Sequence, residues 1–329
     1  MLYSLIIPVY NRPDEIRELL ESLLLQTYKN FEVIVVEDGS KPELNAMDVV
    51  LGFQNRLKVK YFVKENAGQG FARNYGFERA SGDYFIIFDS DVIVPPHYME
   101  AVDKEISLRG LDAFGGPDAA HESFTDVQKA ISYSMTSYFT TGGIRGKKKN
   151  LGPYHPRSFN MGISRKVYET VGGFIIPYMG EDIEYSIRII NAGFKTGLIE
   201  DAFVYHKRRT NFKQFFKQIK FFGRARINIH SFFPKELKYV HFFPAVFLLY
   251  LCLIPIMWFA WPYVGGWMFR FLLLYTFAIF AHATSQYDDM KIGAYAVAAA
   301  YTQLVGYGVG FIDEAYHRWV KKEPTRAKQ

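Results

Sequence analysis

The sequence predicts an α/β domain built on parallel strands, followed by a helical region suited to a bilayer. Short β-rich runs alternate with helix-patterned segments through residues 1–200, the order expected of strands joined by crossover helices. From Tyr239 to Phe269 no charged residue occurs, and past Arg270 the apolar character resumes to Tyr287. That run exceeds the ~20 residues one membrane helix needs. Charge is distributed to match: of 39 Lys+Arg against 33 Asp+Glu, nine basic residues and no acid fall between Ala202 and Lys235. The positive charge is thus a local patch seeking an anionic surface or substrate, not the general excess of a nucleic-acid binder.

The strands are predicted at Leu2–Val9, Phe31–Glu37, Leu57–Phe62 and Tyr84–Phe88. The opening MLYSLIIPVYNRPD reads as a strand entering a turn rather than a signal peptide, because its apolar run is short and unpreceded by basic residues; the start of the chain is expected in the cytosol. Pro13 then starts a helix, with Asp14 and Glu15 in its first turn and Leu19, Leu20, Leu23 and Leu24 on one face. Polar residues follow each strand: Asn11 and Arg12, Glu37-Asp38-Gly39-Ser40, Asn66, and Asp89-Ser90-Asp91. In parallel sheets ligands gather beyond these carboxyl ends. Gly68-X-Gly70 suggests a dinucleotide fingerprint, yet it follows the third strand and Arg73 holds the third glycine position. A helix N-terminus there can still bind a phosphate, with Arg73 nearby.

Asp89 and Asp91 project on the same side of the chain after an apolar strand. Two hard oxygen ligands at one point suit Mg²⁺ or Mn²⁺, which share the rest of their shell with phosphate and water. Further on, Glu181-Asp182 opens a helix whose Ile183, Ile187 and Ile190 recur at helical spacing. Acids at that end complement the helix dipole, and a carboxylate there can also take a proton from a hydroxyl as general base.

Behind the domain, TNFKQFFKQIKFFGRARI sets Phe212, Phe215, Phe216, Ile219 and Phe222 at helical spacing, with Lys213, Lys217, Lys220 and Arg224 on the other faces. This is the pattern of a helix lying in the headgroup layer. Membrane helices are predicted at 242–261, 266–284 and 292–312, with WPYVGGW (Trp261–Trp267) as a tight turn in an interfacial aromatic belt. Cys252, the single cysteine, excludes an intrachain disulfide and sits in an apolar run. Three spans would leave the tail outside the cell, whereas Arg318, Lys321, Lys322, Arg326 and Lys328 prefer the cytosol. At least two spans are expected, from the 242–284 hairpin.

IIPVYNRP, VVEDGS, ENAGQGFARNYGFERASGDY, FDSDV, FNMGISRKVYETVGGF and GEDIEYSIRIINAGF, in this order, resemble the family 2 inverting glycosyltransferases of GT-A fold. The resemblance implies a Rossmann-like, nucleotide-sugar-binding catalytic domain in the cytosol, placed at residues 1–208. An interfacial helix and linker would occupy 209–238, two or three transmembrane helices 239–315, and a basic tail 316–329. It implies that Asp38 contacts the nucleobase, that Asp89 and Asp91 hold the diphosphate through the metal, and that Asp182 is the base beside Glu181. Pro8, Tyr10, Asn11, Glu37, Asn66, Gly70, Arg73 and Asn160 would border the donor, Met161 and Gly162 the donor sugar and acceptor. His206 matches a histidine that some relatives use near the metal. KQIKFFGRAR carries Gln218 and Arg224 without the Gln-X-X-Arg-Trp of processive, membrane-embedded polysaccharide synthases. The expectation is therefore a metal-dependent hexosyltransferase in a bacterial inner membrane, using a UDP-sugar ahead of a GDP-sugar and a lipid-linked saccharide acceptor in polysaccharide or glycolipid assembly. The rival expectations are a polyprenyl-phosphate sugar synthase, whose anionic acceptor needs no base, and a non-catalytic nucleotide-sugar-binding scaffold.

Overall fold

The computed structural model describes residues 1–119, 124–141, 154–207 and 209–324; Arg208, Arg326 and Lys328 lie outside them. In chain order the first elements are β1 (Tyr3–Val9), α1 (Pro13–Leu24), β2 (Phe31–Asp38), α2 (Met47–Leu51), β3 (Val59–Lys64), α3 (Gln69–Phe77), β4 (Tyr84–Phe88), β5 (Val92–Ile93), α4 (Tyr98–Arg109), β6 (Ala113–Gly115) and β7 (Asp118–Ala119). Then come α5 (Asp126–Thr136), α6 (Tyr138–Thr141), β8 (Asn160–Ser164), α7 (Arg165–Val171), α8 (Glu181–Asn191), β9 (Thr196–Leu198) and β10 (Val204–His206). The chain ends in α9 (Phe212–Phe232), α10 (Phe243–Ala260), α11 (Pro262–Tyr287) and α12 (Met290–Ala315). Two compact units result, one from the described residues of 1–119 and 154–207, the other from 124–141 and 209–324.

The first unit carries a seven-stranded sheet of order β3-β2-β1-β4-β8-β6-β9. β1 to β4 are parallel, as the sequence leads one to expect, but β8 runs antiparallel to both β4 and β6. The four strands placed from the sequence are thus parallel, and β8, which was not among them, adds the antiparallel pairing; short apolar runs record burial, not direction. Gly162 makes the insertion fit, since a Cβ there would stand 1.9 Å from the Phe114 ring. β3 begins two residues later than predicted because Leu57 still closes the turn after α2, its N–H donating to Phe53. Alternate strand residues feed two cores. Leu5, Ile7, Val33, Val35 and Ile86 pack with α1 and α4, whereas Ile6, Ile34, Val36, Phe85 and Ile87 pack with α3, α7 and α8.

A small second sheet, β5-β10-β7, matters more for chemistry. In it β10 pairs antiparallel with β5, setting His206 opposite Val92, the residue after Asp91.

The second unit is helical, and three of its segments, Tyr239–Ala260, Pro262–Tyr287 and Met290–Val320, are long and apolar enough to cross a membrane. The predicted turn across Trp261–Trp267 shrinks to Trp261. Pro262 starts α11, where its missing N–H costs nothing, and Gly265, inside the helix, lets α10 come close, since a Cβ there would stand 2.4 Å from the Trp258 backbone nitrogen. α9 forms where the basic amphipathic pattern places it and buries Phe215 and Ile219. α5, not anticipated from the sequence, opens on a Thr125/Gln128 capping box. It is fixed to α11 by a 2.9 Å hydrogen bond between Tyr133 Oη and His282 Nδ1.

Candidate active site

β4 is buried along its whole length and ends by delivering Asp89-Ser90-Asp91 to the sheet edge. Arg12, just before α1, donates from Nη1 to Asp91 Oδ2 at 2.6 Å. His206 Nε2 lies 3.2 Å from Asp91 Oδ1, and its ring stacks on Phe159 at 5.1 Å. Burial alone would raise the Asp91 carboxyl, but His206 and Arg12 hold it well below the ordinary carboxylate range. Ligand atoms of Asp89, Asp91 and His206 lie within 4.8 Å of one another. Two carboxylate oxygens and one imidazole nitrogen make a donor set suited to a divalent cation. The two carboxylates follow β4 and the imidazole ends β10, so the chain segment after β4 discloses two of the three donors and the fold adds the third.

The second acid pair is joined to the first through Arg73. This arginine is 1% exposed, donates to Asp89 Oδ1 at 2.8 Å and to Glu181 Oε1 at 3.0 Å, and lies over the Phe174 ring. Gln69 also donates to Glu181. Burial pushes the Glu181 carboxyl up, Arg73 opposes the rise, and neighbouring Asp182 adds to it. Asp182 is placed differently. Its side chain is 20% exposed, its Oδ1 accepts from the Ile183 N–H at 2.8 Å, and its Oδ2 stands 3.6 Å from Arg157 Nη1. The chain enters α8 through Met179 at φ 67° and Gly180 at φ 95°. Glycine takes that left-handed turn without strain, and it sets the two acids at the helix start.

The other residues singled out in the sequence divide into those that brace the domain and those that face outward. Glu37 is 2% exposed and accepts from Ser40, from the Ala46 N–H at 2.8 Å and from Tyr61 Oη at 2.9 Å. Asn160 is fully buried, taking Tyr98 Oη at 2.6 Å and giving its amide to the Ala202 carbonyl at 2.8 Å. Gly70 donates to the Pro177 carbonyl at 2.8 Å, and a Cβ there would lie 2.5 Å from Ile176 O, so its role is close packing of α3 on that loop. Asn66 holds the Asp38 carbonyl at 2.8 Å, and Pro8 lies buried in β1 opposite Val36. Asp38 accepts from Lys64 at 2.7 Å and from the Ala67 and Gly68 N–H groups at 3.0 and 2.9 Å, which fills three of the roughly four acceptor positions of a carboxylate. Asn11, at φ 55°, ties the loops after β1 and β2 together through Ser40 and Lys41. Tyr10 is exposed. Met161 and Gly162 are buried strand residues of β8. Sequence reasoning missed Arg157 as a partner of Asp182, and Lys64 and Gln69 as partners of Asp38 and Glu181; the i-to-far pairing that unites them leaves no local pattern.

The model of Glycosyl transferase family 2 matches residues 4–172, about half of the chain. An uncharacterized glycosyltransferase of Rickettsia felis is 44% identical over 99 residues, covering 30% of this chain; the match spans 16% of that relative. Glycosyltransferase AglE of Haloferax volcanii is 27% identical over 242 residues, 69% of this chain and 73% of the relative. Among solved structures, the mannosyltransferase PcManGT of Pyrobaculum calidifontis, in complex with GDP-Man and Mn²⁺, aligns over 98% of this chain and 88% of its own with TM-score 0.58 and 15% identity. At that identity the likeness concerns the fold, a mixed α/β sheet of GT-A type followed by C-terminal helices. With the family's motifs set around one sheet edge, the chain belongs to the family 2 glycosyltransferases.

Proposed function

We propose that this glycosyltransferase moves a sugar from a nucleoside-diphosphate sugar to a hydroxyl of a lipid-linked saccharide, with inversion at the anomeric carbon. The observation that carries the reading is the joining of two acid groups by Arg73: a three-donor cluster at the end of β4 and a base candidate at the start of α8. Asp89, Asp91 and His206 would hold Mg²⁺ or Mn²⁺, which when bound neutralises diphosphate charge. Asp182 is the base rather than Glu181, because Glu181 is spent on Arg73 and Gln69 while Asp182 keeps an exposed carboxylate edge. The acceptor oxygen gives its proton to Asp182 and bonds to the anomeric carbon. The bond from that carbon to the diphosphate oxygen breaks on the opposite face, its electron pair leaving with the nucleotide. Arg157 fixes the orientation of the base. Asp38 offers its remaining acceptor position to a nucleobase N–H, and Tyr10 a ring on which the base can stack. The apolar helices hold the enzyme at a plasma membrane, which favours an acceptor that lives there.

The test uses the full chain in detergent, with a panel of nucleotide sugars. Asp91→Ala or chelation should abolish both turnover and tight donor binding, and equal nucleotide affinity with and without chelator would remove the metal from the reading. Asp182→Asn should keep donor affinity and lose about 10²–10⁴ in rate, the scale of general-base removal. A near-normal rate in that variant would instead indicate an acceptor that is already anionic.

A further inference from the structure

We propose that α12 does not cross the bilayer: the α10–α11 hairpin alone enters the hydrocarbon of a lipid membrane, and α9 and α12 stay together on the face where that hairpin begins and ends. The inference concerns the second unit by itself and holds whatever donor and acceptor the enzyme takes. By length and composition α12 also qualifies as a span, although the mean hydropathy of its segment, 1.2, is below the 2.2 and 1.6 of the α10 and α11 segments. Its packing contradicts that.

α9 and α12 run side by side in the same direction. The Phe212 ring meets Tyr295 at 6.3 Å, and a Cβ on Gly223 would lie 2.2 Å from the Tyr307 carbonyl oxygen. A Cβ on Gly310 would lie 2.0 Å from the Lys220 carbonyl oxygen. Beyond these, Arg224 Nε pairs with Glu314 at 3.0 Å, and Arg318 donates to Ser231 Oγ at 2.6 Å. The contacts run from Phe212–Tyr295 to Ser231–Arg318, over nearly all of α9. At ~1.5 Å per residue this seam is about 30 Å long, the thickness of a hydrocarbon core. A bilayer that α12 crossed would therefore have to be crossed by α9.

α9 is unfit for that. It carries Lys213, Lys217, Lys220, Arg224 and Arg226 and no acid. Lys220 and Arg224 find Asp313 and Glu314 on α12, at 3.9 and 3.0 Å, whereas Lys213 and Lys217 are exposed. Lys213 and Lys217 lie in the first two turns of α9, but that stretch packs beside the middle of α12, between Tyr295, which meets Phe212, and Gly306, which lies against Phe216. If α12 crossed, these ammonium groups would sit deep in the hydrocarbon, where charge is expelled. α9 stays at the surface, and the close seam keeps α12 with it.

The hairpin is of opposite character. α10 has no charged residue and α11 has Arg270 alone. Away from their α12-facing ends the two helices meet each other, Tyr250 Oη donating to the Met268 carbonyl at 2.7 Å and Trp258 packing edge-on against Phe269. Phe259, Phe271 and Leu274 are exposed, a surface that fits lipid tails, and Trp258, Trp261 and Trp267 cluster at the tip as in an interfacial belt. A hairpin also returns Arg318, Lys321 and Lys322 to the side that holds the lysines of α9, so the positive-inside preference is met at both ends of the unit.

Single cysteines at Tyr239, Tyr263 and Lys321, in the full chain carrying Cys252→Ala, test this with a membrane-impermeant maleimide applied to cells before and after selective permeabilisation. Positions 239 and 321 should respond alike. Position 263 should differ from both, labelled from the other face or shielded until detergent is added. Opposite responses at 239 and 321 would overturn the proposal, and so would identical labelling at all three. Because labelling is read without turnover, failure of the catalytic reading leaves this test intact.

Discussion

Arg73 is a motif residue whose guanidinium is shared by two acids of the candidate site. Its guanidinium is buried between Asp89 and Glu181, so the carboxylate that would hold a cation and the start of the base helix share one support. Truncation to alanine would leave the Glu181 carboxylate, which is 3% exposed, without its cation, and breaking a buried pair by removing one partner costs about 3–5 kcal/mol. Arg73→Ala should therefore lower the unfolding midpoint of the detergent-purified enzyme by several degrees as well as reducing turnover. Arg73→Lys cannot reach both acids in fork geometry, and should keep most of the stability while losing rate. A fully stable but inactive Arg73→Ala protein would mean that the arginine binds substrate and braces nothing. The sequence placed Arg73 near a phosphate-binding helix start, on the donor side; its two acid partners, 16 and 108 residues away, leave no local pattern.

At the scale of elements, the strands and their order along the chain were readable because alternation and apolar runs are local properties. β1, β2 and β4 begin within one residue of where the pattern places them, and α8 opens at Glu181. α5 was missed although its Thr125-X-X-Gln128 cap is a local signal; the direction of β8 and the pairing of β10 with β5 were not readable, since each is decided by contacts between distant segments. The same limit applies to Glu32, a β2 residue that attracted no notice in the sequence. It is buried at the strand's start and accepts from Ser4 Oγ, Lys60 Nζ and both the N–H and Oγ of Ser81 at 2.7–2.8 Å. Burial would raise its carboxyl, yet Lys60, Ser81 and Ser4 together bring it from the ordinary 4.5 down to about 2. A depressed folded value means the stabilisation is complete above the unfolded value and is lost as protons bind. Stability of wild type should thus fall as pH drops from about 4.5 towards 2, and Glu32→Gln should be less stable by roughly 2–3 kcal/mol at neutral pH with a shallower loss over that window. Denaturant titrations of both proteins at pH 7 and pH 3 would measure it; parallel pH profiles would exclude Glu32 as the clamp between β1, β2 and β3.

For the whole molecule, the proposed arrangement binds the helical unit to a membrane by two forces of different range, and they can be separated. The basic face of α9 attracts anionic headgroups by about 1 kcal/mol per Lys or Arg near the surface, a term that salt screens within a Debye length of ~10 Å at 0.1 M. Burial of the α10–α11 hairpin in lipid is indifferent to salt, because it rests on apolar area removed from water. Phe259 and Tyr263 are 87% and 76% exposed, so full insertion of the tip covers large side chains that nothing in the second unit covers. Washing membranes with high salt or alkaline carbonate should leave the full chain in the pellet. Replacing Phe259, Tyr263, Trp267 and Phe271 by serine should weaken the salt-resistant component and leave a variant retained at low salt by α9 and released at high salt. Lys213→Gln with Lys217→Gln should do the reverse, with no effect on salt-resistant retention and a loss of preference for anionic over neutral vesicles. Release of the unaltered chain by salt alone would mean that the hairpin is not inserted, and its apolar surface would then have to be covered by another protein surface.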